Sequence, residues 1–465
     1  MIKNKLNIPV LALMLGICAA SCKKLIDIPN PTGQLTRDAV FLDSTTAVSA
    51  ISGLYSYMYN YTFVGDAAFK TQITLTGGMA SDEFYYFSGS TYDQYKNNAI
   101  SINDATNLTM WSTIYQVIYQ ANSILEGIEG SPLSATLKNQ LKGEALFVRA
   151  VSHFYLVNLY GDVPLILKTD VTENSVAART EAEDVYKSIE QDLAAAVPLL
   201  APDYGYANGG TRTRANKWAA HAMLARVYLY RGNYAAAVTH SSTVIARSEL
   251  YRMPALDQVF PATSEEAILQ FYTNVYNHTY IQDQLSPSTD ASAVGPSYVL
   301  RDELLSSFEP GDARRAAWTG DITYNNKTYA YPSKYKRNSY TTSGALEYEM
   351  FLRLGEQYLI RAEANAQLNN IDEAHQDLEA VRGRAGLGRP AADDKAEMLL
   401  AIEKERRVEL FAEYGHRWFD LKRTGRVNTV MTAVKGSLWK PTAALFPIPQ
   451  VARSTNPKLS QNDGY

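Results

Sequence analysis

A mostly α-helical fold, with helix hairpins stacked into a superhelix and two long irregular insertions, is what this 465-residue sequence predicts. Three observations point there. The stretch "NKWAAHAMLARVYLYRGNYAAAVTHSSTVIA", residues 216–246, puts Leu224, Ala225, Tyr228, Gly232, Tyr234 and Ala237 where two helices can approach through small residues across a tight glycine turn. Apolar residues recur at helical spacing in several other segments. Two stretches, roughly 62–106 and 248–345, break that periodicity and are rich in Tyr, Asn, Ser, Thr and Gly.

Taken in order, the elements begin with a leader. Lys3 and Lys5 precede an apolar run from about Ile8 to Ala20, too short to span a membrane, so residues 1–21 are expected to be an export signal and 22–465 a single domain. Ala19, Ala20 and Ser21 lead into Cys22, which resembles the cleavage and lipidation box of bacterial lipoproteins. Lipidation is therefore expected on Cys22. With Cys18 removed in the leader, the mature chain keeps no free thiol, which excludes thiol catalysis and cysteine metal sites.

Helices are expected near 45–60, 107–129 and 394–412. Ala145, Val148, Ser152, Tyr155 and Leu159 form one stripe, stopped by Gly161 and Pro164. Thr180 and Glu183 read as a capping box before the stripe Tyr186, Ile189, Leu193, Val197 and Leu200. The 216–246 pair has the offsets of tetratricopeptide hairpins, and Ala362, Asn369, Ile371 and Ala374 repeat the spacing of Ala225, Gly232, Tyr234 and Ala237. Towards the C-terminus Leu410, Tyr414, Trp418 and Leu421 form a buried stripe with a possible break at Gly415. Along it Glu403 is expected to pair with Arg407, and Arg417 with Asp420.

Composition narrows the function. A formal charge of −4 and a pI near 6.0 argue against nucleic-acid binding, which needs a basic stripe. With 32 Tyr against 14 Phe and 5 Trp, most aromatic surface carries a hydroxyl, as suits partly wet contact faces. The run "EYGHRWFDLKRTGR", residues 413–426, is dense in titratable groups, and His416 with Asp420 one turn later has the spacing of a general base and its partner. No Ser or Cys nucleophile accompanies them, so the cluster reads as architecture. The sequence has no HExxH pair, EF-hand loop or phosphate-cradling glycine loop after a strand.

Three segments, "EALFVRAVSHFYLVNLYGDVPLIL" (144–167), "NKWAAHAMLARVYLYRG" (216–232) and "IEKERRVELFAEYGHRWFDLKRTGR" (402–426), with the tail "LFPIPQVARSTNPKLSQNDGY" (445–465), resemble the SusD/RagB family of outer-membrane nutrient-binding lipoproteins. The resemblance implies four tetratricopeptide-like pairs, placed at about 45–129, 134–200, 214–247 and 346–425, and an irregular remainder that forms the ligand surface. It implies a binder rather than an enzyme, lipid-anchored on the outer membrane and facing outward. Its partner would be a SusC-like TonB-dependent transporter, to which it passes glycans or peptides. A tetratricopeptide scaffold that assembles other proteins is the competing reading; a glycosidase ranks below both. No cofactor or metal is expected, and the sequence leaves a structural calcium ion open.

A sugar offers an apolar C–H face and a hydroxyl rim, so its receptor needs flat aromatic platforms flanked by amide, carboxylate or guanidinium groups. From the first insertion the candidates are Tyr85, Tyr86, Tyr92, Tyr95 and Asn97, with Asp82 and Glu83 as hydroxyl acceptors. From the second they are Tyr276, Tyr280, Tyr298 and Trp318. Asp82 and Glu83 make a poor glycosidase dyad, because adjacent side chains point apart and hydrolysis needs two carboxyls about 5–9.5 Å apart across one bond.

Overall fold

In the computed structural model, which describes residues 36–60, 68–89, 92–273, 278–287, 295–339, 341 and 343–465, short polar side chains set where the long helices begin. After α1 (Ser44–Asn60) and α2 (Ile73–Ala80), α3 (Ala105–Ile128) starts where Asp104 accepts the Asn107 N–H at 2.7 Å. Ser134 does the same for α4 (Ala135–Tyr160), which stops at Gly161 with φ +73°. The capping box foreseen for α5 (Ala182–Leu199) does not form. Thr180 is held instead in a bridge with Val163, and Asp162 accepts the Ala182 N–H at 2.8 Å.

Asn216 caps α6 (Lys217–Tyr230) and Asn233 caps α7 (Tyr234–Ile245), with Gly232 between them at φ +71°. The second copy follows the same plan: Asn369, at φ +66°, turns the chain from α8 (Leu354–Gln367) into α9 (Ile371–Arg384). Ala225, Ala237, Ala362 and Ala374 are all buried, so small residues bring the helices of each pair together. From α3 to α9 each helix packs on the next, giving a continuous stack of hairpins. No described helix is long and apolar enough to cross a membrane.

The C-terminal segment folds back on this stack as α10 (Lys395–Glu409), α11 (His416–Arg423) and α12 (Val427–Lys435). The stripe Leu410, Tyr414, Trp418 and Leu421 is buried. It is not one helix, because Ala412, Tyr414 and Gly415 all take positive φ (+55°, +41° and +71°) between α10 and α11. A backbone approach accompanies the break: a Cβ added to Gly77 of α2 would lie 2.8 Å from the Gly415 Cα.

The insertions are more ordered than their composition suggests. Every residue of α2 is buried, and a helix buried on all sides shows no polar face for periodicity to detect. β1 (Phe84–Tyr86) pairs antiparallel with β3 (Tyr298–Leu300), joining the two insertions; Tyr85 lies opposite Val299. β2 (Ala267–Phe271) pairs with β6 (Glu349–Arg353), so the opening of the predicted fourth helix pair is strand. β4 (Thr319–Tyr324) and β5 (Lys327–Pro332) form a hairpin turned by Asn325 and Asn326, both at positive φ.

Candidate functional site

The adjacent acids of the first insertion are interior groups. Asp82 and Glu83 are 1% and 2% exposed, beneath the junction of α10 and α11. Arg417 grips Asp82 with two N–H groups at 2.8 and 3.0 Å, and Arg407 adds a third contact at 2.8 Å. Burial pushes the Asp82 carboxyl up, but the two guanidiniums outweigh it and the group stays below its ordinary range. Glu83 has one weak partner, the Ala412 N–H at 3.4 Å, and burial pushes it up to about 8. It is therefore protonated at neutral pH. Both carboxyls are sealed from solvent, which corrects their reading as hydroxyl acceptors.

Three of the candidate rings are also buried. Tyr95 hydrogen-bonds Asp104 and packs on Phe446. Tyr298 stands edge-on to Phe84 and Tyr86, at 5.8 and 5.2 Å between centroids. Trp318, 1% exposed, lies among Lys334, Arg384 and Arg353, whose charged groups are 4.9, 5.7 and 6.0 Å from its ring, and donates to the Leu256 carbonyl. It anchors the interior and is no sugar platform. Tyr280 is half-buried with the Lys70 ammonium 3.7 Å over its ring, and Tyr86 and Tyr92 form a half-buried edge-to-face pair. Tyr276 lies outside the described residues.

Tyr85 and Asn97 meet in an open depression of about 330 Å³, with Lys96, Arg301, Val434, Lys435 and Leu438 completing its lining. Strand alternation explains the Tyr85 placement: its neighbours Phe84 and Tyr86 face Tyr298 across the ribbon, so Tyr85 points the other way. Lys96 and Arg301 flank the half-exposed ring at 5.7 and 5.6 Å. Burial, then the nearby Tyr329, raises the Tyr85 phenol, which stays neutral. Leu438 is 57% exposed at the rim. This is a flat, partly wet aromatic face with amide and cationic groups around it, suited to the C–H face and hydroxyl rim of a sugar. Arg301, Lys96, Lys435 and Leu438 were absent from the sequence candidates. Arg301 had one local signal, its place at the end of the apolar run "SYVL"; Lys435 had none, since it comes from α12.

Two family models cover most of the chain. Residues 37–229 match one described as "Starch-binding associating with outer membrane", and residues 271–465 match one described as "SusD family". The chain belongs to the SusD/RagB family. Among its relatives is the SusD-like protein P25 of Formosa agariphila, 24% identical, with 98% of each chain covered. A SusD-like protein of Bacteroides ovatus is 25% identical over 83% of this chain and 76% of its own. Among solved structures, a SusD superfamily protein from Bacteroides vulgatus superposes with a TM-score of 0.80 at 19% identity, covering 91% of this chain and 100% of that one. A laminarin-binding SusD-like protein gives 0.76 at 25% identity, covering 90% and 99%.

In this SusD-family chain the 413–426 cluster is part of a wider buried ion network. Arg353 donates to Glu266, Glu409 and Glu413 at 2.6–3.0 Å. Arg314 donates to Asp312, Glu405 and Glu409 at 2.6–2.9 Å. Most pairs cross between elements, which corrects the expected pairing along one helix: Arg407 and Arg417 meet at Asp82, while Asp420 takes Arg406 and Arg423. His416 is buried and held well below the usual imidazole range by burial and by Arg226 and Arg406, so it stays neutral inside the frame. A larger cavity of about 630 Å³ lies beside this network. Its Arg406, Arg417, Arg423 and Arg426 are already matched to Asp420, Glu403 and Glu363. The Tyr85 depression is less fully matched.

Proposed function

We propose that this SusD-family protein is a cell-surface lipoprotein, anchored through Cys22, that binds oligosaccharides at the Tyr85 depression and passes them to a SusC-like TonB-dependent transporter. One observation carries the binding step: a half-exposed ring flanked by Lys96, Arg301 and Asn97 at the ribbon joining the two insertions. The laminarin-binding relative and the starch-binding family description support a glycan as ligand. Binding requires no cofactor and no bond cleavage.

The test is affinity electrophoresis of the protein lacking residues 1–21, run through gels containing a panel of polysaccharides, with and without chelator. Retardation by a glycan is expected, unaffected by chelator and with the polymer's chain length unchanged. Shortened chains would make the protein an enzyme, and retention of peptides alone would replace the glycan reading. Copurification of a TonB-dependent transporter from outer membranes tests the delivery step.

A further inference from the structure

The Tyr85 depression holds a charge imbalance that a neutral sugar leaves unused. Arg301 reaches it from the end of β3, its position fixed by its own N–H donating to the Glu83 carbonyl at 2.8 Å. Among the described residues no carboxylate forms an ion pair with its guanidinium, and its Nε is buried without a hydrogen-bond partner. Burial, and then the nearby Arg301, hold the Lys435 amine, 9% exposed, well below its ordinary range. Its nitrogen donates to the Met79 and Ala80 carbonyls and to Asn98 Oδ1, so it forms part of the wall and is not a donor to a ligand. Among the acids nearby, Asp302 is exposed and acts on Tyr85 but forms no ion pair with Arg301, and three more are engaged or neutral. Asp82 is spent on Arg407 and Arg417, Asp93 on Lys96 at 2.9 Å, and Glu83 is protonated.

We infer that the depression takes an anionic substituent of the glycan, a carboxylate or a sulfate ester, with Arg301 as its hydrogen-bond partner and Tyr85 under the ring that bears it. The planar guanidinium fork matches both oxyanions in a bidentate fashion, which an ammonium cannot do. Arg301 stands in a concave, partly desolvated site, where charge acts more strongly than on open surface. Lys96 and Asn97 remain for neighbouring hydroxyls. This inference rests on the Tyr85 depression being the glycan site.

Calorimetry on the wild type and Arg301→Gln separates the two readings. The probes are neutral laminarin, a methyl-esterified pectin, the same pectin de-esterified, and a sulfated galactan with its desulfated form. At least tenfold tighter binding of the de-esterified pectin, or of the sulfated galactan, over its neutral counterpart is expected, and the better of the two names the oxyanion. Arg301→Gln should abolish that preference, lowering affinity for the charged polymer at least tenfold more than affinity for its neutral counterpart, with the thermal midpoint unchanged. Arg389→Gln, at an exposed arginine beyond α9, should leave the preference intact. Equal affinity for charged and neutral polymers, or an undiminished preference in Arg301→Gln, overturns the anionic inference and leaves glycan binding standing. Failure to bind any of the five polymers overturns both.

Discussion

Trp318 and Tyr85 are both aromatic rings surrounded by cations, yet one is sealed in the interior and the other lies open. Around Trp318, Lys334, Arg353 and Arg384 find carboxylates in Glu413, Glu409 and Glu266. Around Tyr85, Lys96 has Asp93, while Arg301 has no such partner among the described residues. Ring and cation are common to both, so composition alone does not mark a binding surface. The carboxylate complement distinguishes them: a buried charge has to be matched for the fold to stand, whereas a charge at an open depression can wait for a ligand.

The largest effect should come from breaking the matched set. Arg353→Met removes the cation that pairs with Glu266, Glu409 and Glu413 together, leaving them to Arg384, Arg314 and Lys334, and should cost about 3–5 kcal/mol in urea unfolding. A loss below about 1 kcal/mol would mean the network is less tightly coupled than its geometry implies. Trp318→Ala should cost about 3–5 kcal/mol as a core aromatic truncation, while the folded fraction keeps its glycan affinity. Lost affinity at an unchanged thermal midpoint would return Trp318 to the role of sugar platform.

Glu83 sharpens the comparison by its response to pH. Its carboxyl is raised from 4.5 to about 8 in the folded chain, so between those values the folded state holds a proton that the unfolded state has released. Stability from this group is full below pH 4.5 and falls as pH rises, by at most about 1.4 kcal/mol per unit. Glu83→Gln, measured by unfolding at pH 5 and pH 8, should flatten that slope and gain stability relative to wild type at the higher pH. An unaltered slope would show that Glu83 is ionised in the fold. Tyr85→Ala should have the smallest structural effect, about 0.5 kcal/mol or less, with at least a tenfold loss of glycan affinity by calorimetry. A large drop in thermal midpoint with affinity preserved would erase the distinction between the two rings.

The hairpin frame was legible because its rules are local. Gly232 and Asn369 occupy equivalent left-handed turns, and the four alanines that repeat around them are all buried. The misreadings share one cause. Asp82 and Trp318 read as ligand contacts because their partners are far off in sequence: Arg417 lies 335 residues from Asp82, and Arg384 reaches Trp318 from α9. α2 was missed because a helix buried on every side shows no amphipathic period. Tyr85 and Asn97 were reached by residue type, yet Arg301 and Lys435 became visible only when β3 and α12 were brought beside them.

The sequence by itself determined the helix hairpins, their tight turns and the break before His416, since each depends on spacing and backbone preference within a few residues. Tertiary structure alone decided which tyrosines stay open and which charges are matched. Exposure and ion pairing depend on neighbours drawn from hundreds of residues away, and no local pattern records them.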